Sequence, residues 1–198
     1  VQTYVAKKVA IYLSGKTGSE ISIDKLSIAN FTDIVLEHLV ILDHRDSLLL
    51  NVGGLTADIG RIRLRDHSLT INSILAEEMD FRLKKYESEN RLNLTQFLSF
   101  FSSGDTAASK AAKPWTITCN ALEVVDGHFS LKDDNKVNSP RPWVNFSDLD
   151  LDSLNVYVNQ INIIGDTISG QINRLQFYDK SGLDLRALNT QFEIGPGF

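Results

Sequence analysis

The sequence predicts a mainly β fold, an elongated antiparallel sheet with an N-terminal amphipathic helix and one short internal helix. Three observations carry that reading. Between residues 148 and 194, Leu154, Val156 and Val158 alternate with Asn155, Tyr157 and Asn159; Ile168 and Ile172 alternate with Thr167, Ser169 and Gln171; and Leu175 and Phe177 alternate with Arg174, Gln176 and Tyr178. A strict period of two gives a strand one apolar face and one wet face. Helical spacing is confined to residues 1–18 and 91–101. So few helices cannot cover the apolar faces, which leaves a second sheet, a partner or lipid to do so.

Along residues 1–18, Val1, Tyr4, Val5, Val9, Tyr12 and Leu13 form one stripe, with Lys7, Lys8 and Lys16 mostly off it. This is an amphipathic helix, and Gly15 or Gly18 can end it. It either packs across a sheet end through Val5, Val9, Tyr12 and Leu13 or follows a membrane anchor. Ile21 and Ile23, then Leu26 and Ile28, change parity, which predicts a bulge or bend near Lys25. Leu39 and Ile41 lead into the polar turn Asp43 to Asp46, and Leu48, Leu50 and Val52 resume after it. Gly53-Gly54 reads as a strand break, since Leu55, Ala57 and Ile59 restart with opposite parity. Short strands follow at Leu69 with Ile71 and at Met79, Phe81 and Leu83. Leu94, Phe97, Leu98 and Phe101 then make a short helix with Asn93 as its N-cap.

Residues 102–113, "SSGDTAASKAAK", are small and polar and read as a flexible linker or loop. They divide the chain into a helix plus first β section (1–101) and a second β section (114–198) that continues the same sheet. Strands resume with Ile117 and Cys119, Leu122 and Val124, and Phe129 and Leu131. One motif recurs, a strand closing on an aspartate-led turn: "LVILDHRDS", "FSLKDDNKV" and "LQFYDKSGL", with Asp43, Asp133 and Asp179 as leaders. Aspartate starts turns by accepting hydrogen bonds from the backbone two residues on.

The chain has 198 residues, 20 basic and 25 acidic, for a net charge of −5. Without a basic block beyond Lys84-Lys85, no nucleic-acid partner is expected. The lone Cys119 permits no internal disulfide and continues the Ile117 face as a small buried hydrophobe. No apolar run reaches the ~20 residues of a membrane span. The absence of an initiator Met and the abrupt end suggest a fragment of a longer protein. His38, His44, His67 and His128 lack metal-ligand spacing, and the last three read as solvated residues at strand ends. Asp148, Asp150 and Asp152 alternate with Leu149 and Leu151, as on one wet strand face, and lack the glycine and glutamate of a calcium loop. Asn30, Asn93 and Asn145 open glycosylation triplets, which matter only in a eukaryotic secretory chain. No phosphate loop, nucleophile elbow or zinc helix occurs, so neither catalytic residues, metal nor cofactor are expected.

The opening "VQTYVAKKVAIYLSGKTGSEISIDKLSI" resembles the start of the AsmA/TamB superfamily of bacterial envelope proteins. "FTDIVLEHLVILDHRDSLLLNVGGLTADI" and "MDFRLKKYESENRLNL" resemble later segments of the superfamily, and "DTISGQINRLQFYDKSGLDL" resembles TamB-type members in particular, in the same order. The resemblance implies a periplasmic protein anchored in the inner membrane by a preceding segment. It implies a sheet curled into an open half-tube, a β-taco with an apolar inside that supports phospholipid transport between the two membranes. The implied partners are phospholipid acyl chains, the inner membrane and an outer-membrane barrel protein. The groove residues would be Ile21, Ile23, Leu39, Ile41, Leu48, Leu50, Val52, Phe81, Leu83, Phe129, Leu131, Leu154, Val156, Val158, Ile168, Ile172, Leu175 and Phe177. Two alternatives stay open. One is a scaffold for outer-membrane protein assembly, pairing a sheet edge with a client strand. The other is an extracellular carbohydrate-binding β-sandwich using Trp115, Trp143, Tyr157 and Tyr178. An open or closed apolar interior separates them.

Overall fold

The structure, a computed structural model, describes residues 2–29, 32–102, 116–136, 144–164 and 167–194. Helix α1 (Gln2–Thr17) precedes β1 (Ile21–Ala29), β2 (Asp33–Leu42), β3 (Leu48–Arg63) and β4 (Ser68–Lys85). Helix α2 (Asn93–Ser102) then leads to β5 (Thr116–Asp133), β6 (Asp148–Ile164), β7 (Thr167–Asp179), β8 (Asp184–Leu185) and β9 (Thr190–Ile194). The strands form one open nine-stranded sheet in chain order, with β8 and β9 both on β7. Neighbours are antiparallel except β4 and β5, which are parallel. A hairpin cannot join parallel strands, and here the chain crosses back through α2. The sheet thus runs unbroken from the first β section into the second. The expected linker lies outside the described residues apart from Ser102, which ends α2.

The strands are longer than their sequence pattern suggests. β3 runs straight through Gly53-Gly54, where a break was expected, and β4 and β5 each join segments that read as separate short strands. The reversals of parity lie inside continuous strands, at points where a residue on each of two neighbours drops out of the pairing. His38 (φ 51°), Glu78 (φ 52°), Asp126 (φ 53°) and Ser153 (φ 53°) all adopt the left-handed conformation. The register sets them in a row. Asp24 and His38 fall in the gap between the pairs Ile23–Leu39 and Lys25–Glu37, and Gly53 and Glu78 between Val52–Met79 and Gly54–Glu77. A second row crosses Asn72, Asn120 and Gln160 (φ 54°). A left-handed residue within a strand inverts the alternation beyond it and bends the strand, and where both neighbours skip one residue the register is kept. Each sequence inverts its own pattern at the same point, so the apolar side chains stay on one face. Bends aligned across neighbouring strands curl the sheet as a whole.

The register spells out that face, because directly paired residues point to the same side. One ladder runs Leu26–Leu36–Leu55–Ala76–Val124–Val156–Leu175 across seven strands. Beside it run Ile21–Ile41–Leu50–Phe81–Phe129–Leu151 and Ile34–Ala57–Ile74–Leu122–Val158–Ile172. The opposite face is polar, as in Asp58–Ser73–Ala121–Asn159–Gln171–Gln191.

Helix α1 ends at Gly18, whose φ of 65° and bond from its N–H to the Ser14 carbonyl (2.9 Å) make it the C-terminal cap. Its packed face differs from the expected stripe. Ala6 and Ala10 are buried against Ile21 and Ile23, flanked by Val9 and Leu13. Tyr4 (66% exposed), Ile11 (69%) and Tyr12 (64%) point away. The side chain of Val5 lies outside the described set. Two alanines let the helix backbone approach β1 closely, and bulky Tyr12 cannot fit there.

Gly127 sits at the first crease, where a Cβ would lie 2.9 Å from Val124 Cγ1 and 3.3 Å from the Leu154 carbonyl oxygen. Gly127→Ala is expected to lower unfolding free energy by about 1–3 kcal/mol, read by urea denaturation.

Candidate functional site

The concave apolar face spans seven strands of the sheet. Its floor is Val52, Ala76 and Val124, all buried, with Leu39, Leu50, Leu55, Met79 and Val156 packed around them. Phe81 and Phe129 meet at a ring-centroid distance of 5.9 Å. From β1 to β6 none of the three ladders contains a charged residue; on β7 the second reaches Asp179 at the turn rim. Cover is one-sided. Helix α1 packs on β1, Leu36, Leu39 and Ile41 of β2 pack against the same cluster, and α2 reaches it through Phe97. No second sheet faces the first among the described residues.

The two rims differ. At one rim the three aspartate-led turns repeat the same geometry. Asp43, Asp133 and Asp179 each donate their N–H to the carbonyl of Ser47, Ser147 and Leu183 at 2.8–2.9 Å. Their carboxylates accept the N–H of Arg45, Asn135 and Ser181 at 2.8–3.1 Å. The recurrence in sequence is thus a recurrence in structure. Asp43 is buried and accepts four hydrogen bonds: Oδ1 from the backbone N–H of Arg45 and Ser47, Oδ2 from Tyr86 Oη (2.7 Å) and Asn93 Nδ2 (3.0 Å). Burial pushes its pKa up, and those four bonds outweigh it and hold it below the usual range. Burial, with Asp43 alongside, pushes the Tyr86 phenol up to about 12. Asn93 Oδ1 accepts the N–H of Leu94 and of Lys84, both at 2.9 Å, so it caps α2 and pins it to β4. Its amide is buried and fully used, which rules out a glycan there.

On the polar face, His128 lies within β5, not at a strand end. Its Nδ1 is 2.8 Å from Asp80 of β4 and its Nε2 is 2.7 Å from Asp150 of β6. Burial opposes its charge, and the two carboxylates prevail, so its pKa is raised. Asp148 pairs with Lys180 at 2.7 Å. These aspartates serve cross-strand ion pairs, and among the described residues no cluster has the geometry to hold a metal ion. Cys119 is buried, and desolvation raises its thiol pKa.

The groove candidates fall mostly where the alternation places them. Ile21, Ile23, Leu39, Ile41, Leu50, Val52, Phe81, Phe129, Val156, Val158, Ile172 and Leu175 belong to the ladders or the buried clusters. Leu83 pairs with Leu131, Ile168 with Ile163 and Phe177 with Leu185, and Leu154 is buried opposite Gly127. Leu48 departs from the set. A bulge sets it opposite Leu42 beside a cleft with Arg82, Lys84, Ser130 and Lys132, and Leu49 takes the buried position. Ile168 stands near the start of β7 and at the far rim, where Ile62, Leu69, Ile117, Ile163, Ile168 and Ile194 form another apolar ladder. Sequence reading missed Tyr86, whose partner Asp43 is 43 residues away. It also missed Arg61, Arg63 and Arg65 as a basic block, although "RIRLR" is plain in the chain. Trp115 and Trp143 lie outside the described residues. Compared with known proteins, the chain matches no family model and no curated protein sequence.

Tyr86→Phe leaves the buried Asp43 carboxylate one donor short and is expected to cost about 1–2 kcal/mol of stability, measured by thermal and urea unfolding. A raised His128 pKa means its contribution is complete below the ordinary histidine value and fades as pH climbs through the raised one. Wild-type protein is therefore expected to lose more stability than His128→Gln between about pH 6 and pH 9, by melting temperature; parallel curves would refute the linkage.

Proposed function

We propose that this chain is a membrane-proximal section of a periplasmic lipid conduit, binding acyl chains in its apolar trough without catalysing a reaction. The observation that carries the reading is the set of apolar ladders, free of charge from β1 to β6, on a sheet that among the described residues is covered only at its β1–β2 end. The ladder residues are half-buried to buried by their neighbours on the sheet, and each acyl methylene that covers the apolar surface they leave in water gains ~0.8 kcal/mol. The resemblance of "VQTYVAKKVAIYLSGKTGSEISIDKLSI" to AsmA/TamB proteins supports the same reading and suggests the periplasm and an inner-membrane anchor preceding this section. No described helix is itself long and apolar enough to cross a membrane.

The free edge of β1, which among the described residues pairs only with β2, favours a second reading as a scaffold that adds a client strand. A carbohydrate-binding sandwich has less support, since the described strands make one sheet instead of two.

Purified protein is expected to carry phospholipid detectable by mass spectrometry. Val156→Asp and, at the more exposed rim, Ile168→Asp are expected to retain the fold by circular dichroism and to lose that lipid. Lipid-free wild-type protein, together with unfolding of both variants, would show a closed core and sink the conduit reading.

A further inference from the structure

We infer that the β3–β4 hairpin is a docking lip that seats the far rim of the trough on an anionic phospholipid bilayer, with Arg61, Arg63 and Arg65 on headgroup phosphates and Ile62 and Leu64 in the acyl boundary. It deepens the conduit reading and rests on it for its purpose.

Charge is the first argument. Elsewhere on the sheet most cations are matched, Lys85 excepted: Arg82 with Asp80 at 2.6 Å, Arg174 with Glu123 at 2.8 Å, Lys180 with Asp148 at 2.7 Å, and Lys25 with Glu37. Arg61, Arg63 and Arg65 are exposed and make no ion pair among the described residues. Asp66, in the same turn, is the only acidic residue between Gly60 and Ser68, so the tip is locally cationic on a chain of net charge −5. Guanidinium forks suit phosphate oxygens, two N–H groups to each.

Apolar exposure is the second argument. Ile62 is 59% and Leu64 72% exposed, and they alternate with the arginines. A purely electrostatic partner such as nucleic acid offers nothing to cover them. A bilayer surface takes both kinds of side chain at once, apolar residues into the acyl boundary and cations at the headgroups.

Continuity is the third. Ile62 pairs with Leu69 and belongs to the rim ladder, so the apolar lip runs into the trough face. On the polar side of the same strands, a depression of about 420 Å³ is lined by Arg61, Arg63, Ser68, Thr70 and Asn72. Headgroup and tail would thus meet the two faces of one rim, which places lipid at the mouth of the trough.

The test is flotation of the folded protein with vesicles of phosphatidylcholine alone and of phosphatidylcholine with phosphatidylglycerol, at low and high salt. Wild type is expected to float with the anionic vesicles and to release at high salt. Arg61→Gln/Arg63→Gln/Arg65→Gln is expected to weaken that binding on the order of a hundredfold, and Ile62→Ser/Leu64→Ser to weaken it at both salt concentrations. All these positions are exposed, so melting temperatures should match wild type. Equal flotation with both vesicle types, undiminished binding by the triple variant, or equally tight binding of a DNA duplex would overturn the proposal. Lipid carried by the purified triple variant is read separately. Retained lipid with lost flotation supports docking at this lip and leaves the trough reading intact. Arginine-dependent flotation by a wild-type protein that carries no lipid supports the lip and removes its purpose.

Discussion

One constraint organises this molecule: strands of 16 to 18 residues must curl while keeping all their apolar side chains on one side. A curled strand needs local bends, and each left-handed residue that makes one inverts the alternation beyond it. The chain satisfies both demands by inverting its own pattern at the same residues. Because His38, Gly53, Glu78, Asp126 and Ser153 fall beside one another in the register, neighbouring strands bend together. Gly53 and Gly127 occupy the tightest points of that crease, where a Cβ would meet Glu78 or Val124.

The rims divide the remaining chemistry. The turn rim is built from aspartates whose carboxylates satisfy their own turn backbone, and Asp43 extends this into a buried node with Tyr86 and Asn93. That node joins the β2–β3 turn, the end of β4 and the start of α2, so it fixes the second of the two helices that cover one end of the apolar face. Among the described residues, the opposite rim has no such node. It exposes isoleucines and leucine instead, with arginines that lack an ion pair alternating beside them. A sheet that served only as a scaffold for its own core has no reason to be so uneven.

The polar face is stabilised by cross-strand charge pairs. His128 joins three adjacent strands by standing between Asp80 and Asp150, and Arg174 reaches Glu123 across β6. Partly exposed pairs of this kind contribute little individually. Their larger consequence is register: a one-residue slip would carry the apolar ladder into water and break the ion pairs together.

Side-chain periodicity and local turn and cap chemistry by themselves determined that the chain is β-rich, which residues share an apolar face, that Asn93 begins a helix and that aspartate-led turns recur. These are local facts, set by side-chain direction and by hydrogen bonds within a few residues. Tertiary structure decided the rest. The parity reversal between Val52 and Leu55 looks the same in sequence whether a strand ends or bulges, and only pairing with β4 shows a continuous strand. The face of α1 was decided by close approach to β1, which selects Ala6 and Ala10 over the larger Tyr4 and Tyr12. The parallel pairing of β4 with β5 and the meeting of Asp43 with Tyr86 join residues far apart in the chain. No local pattern encodes such partners, because their free energy exists only once the sheet has brought them together.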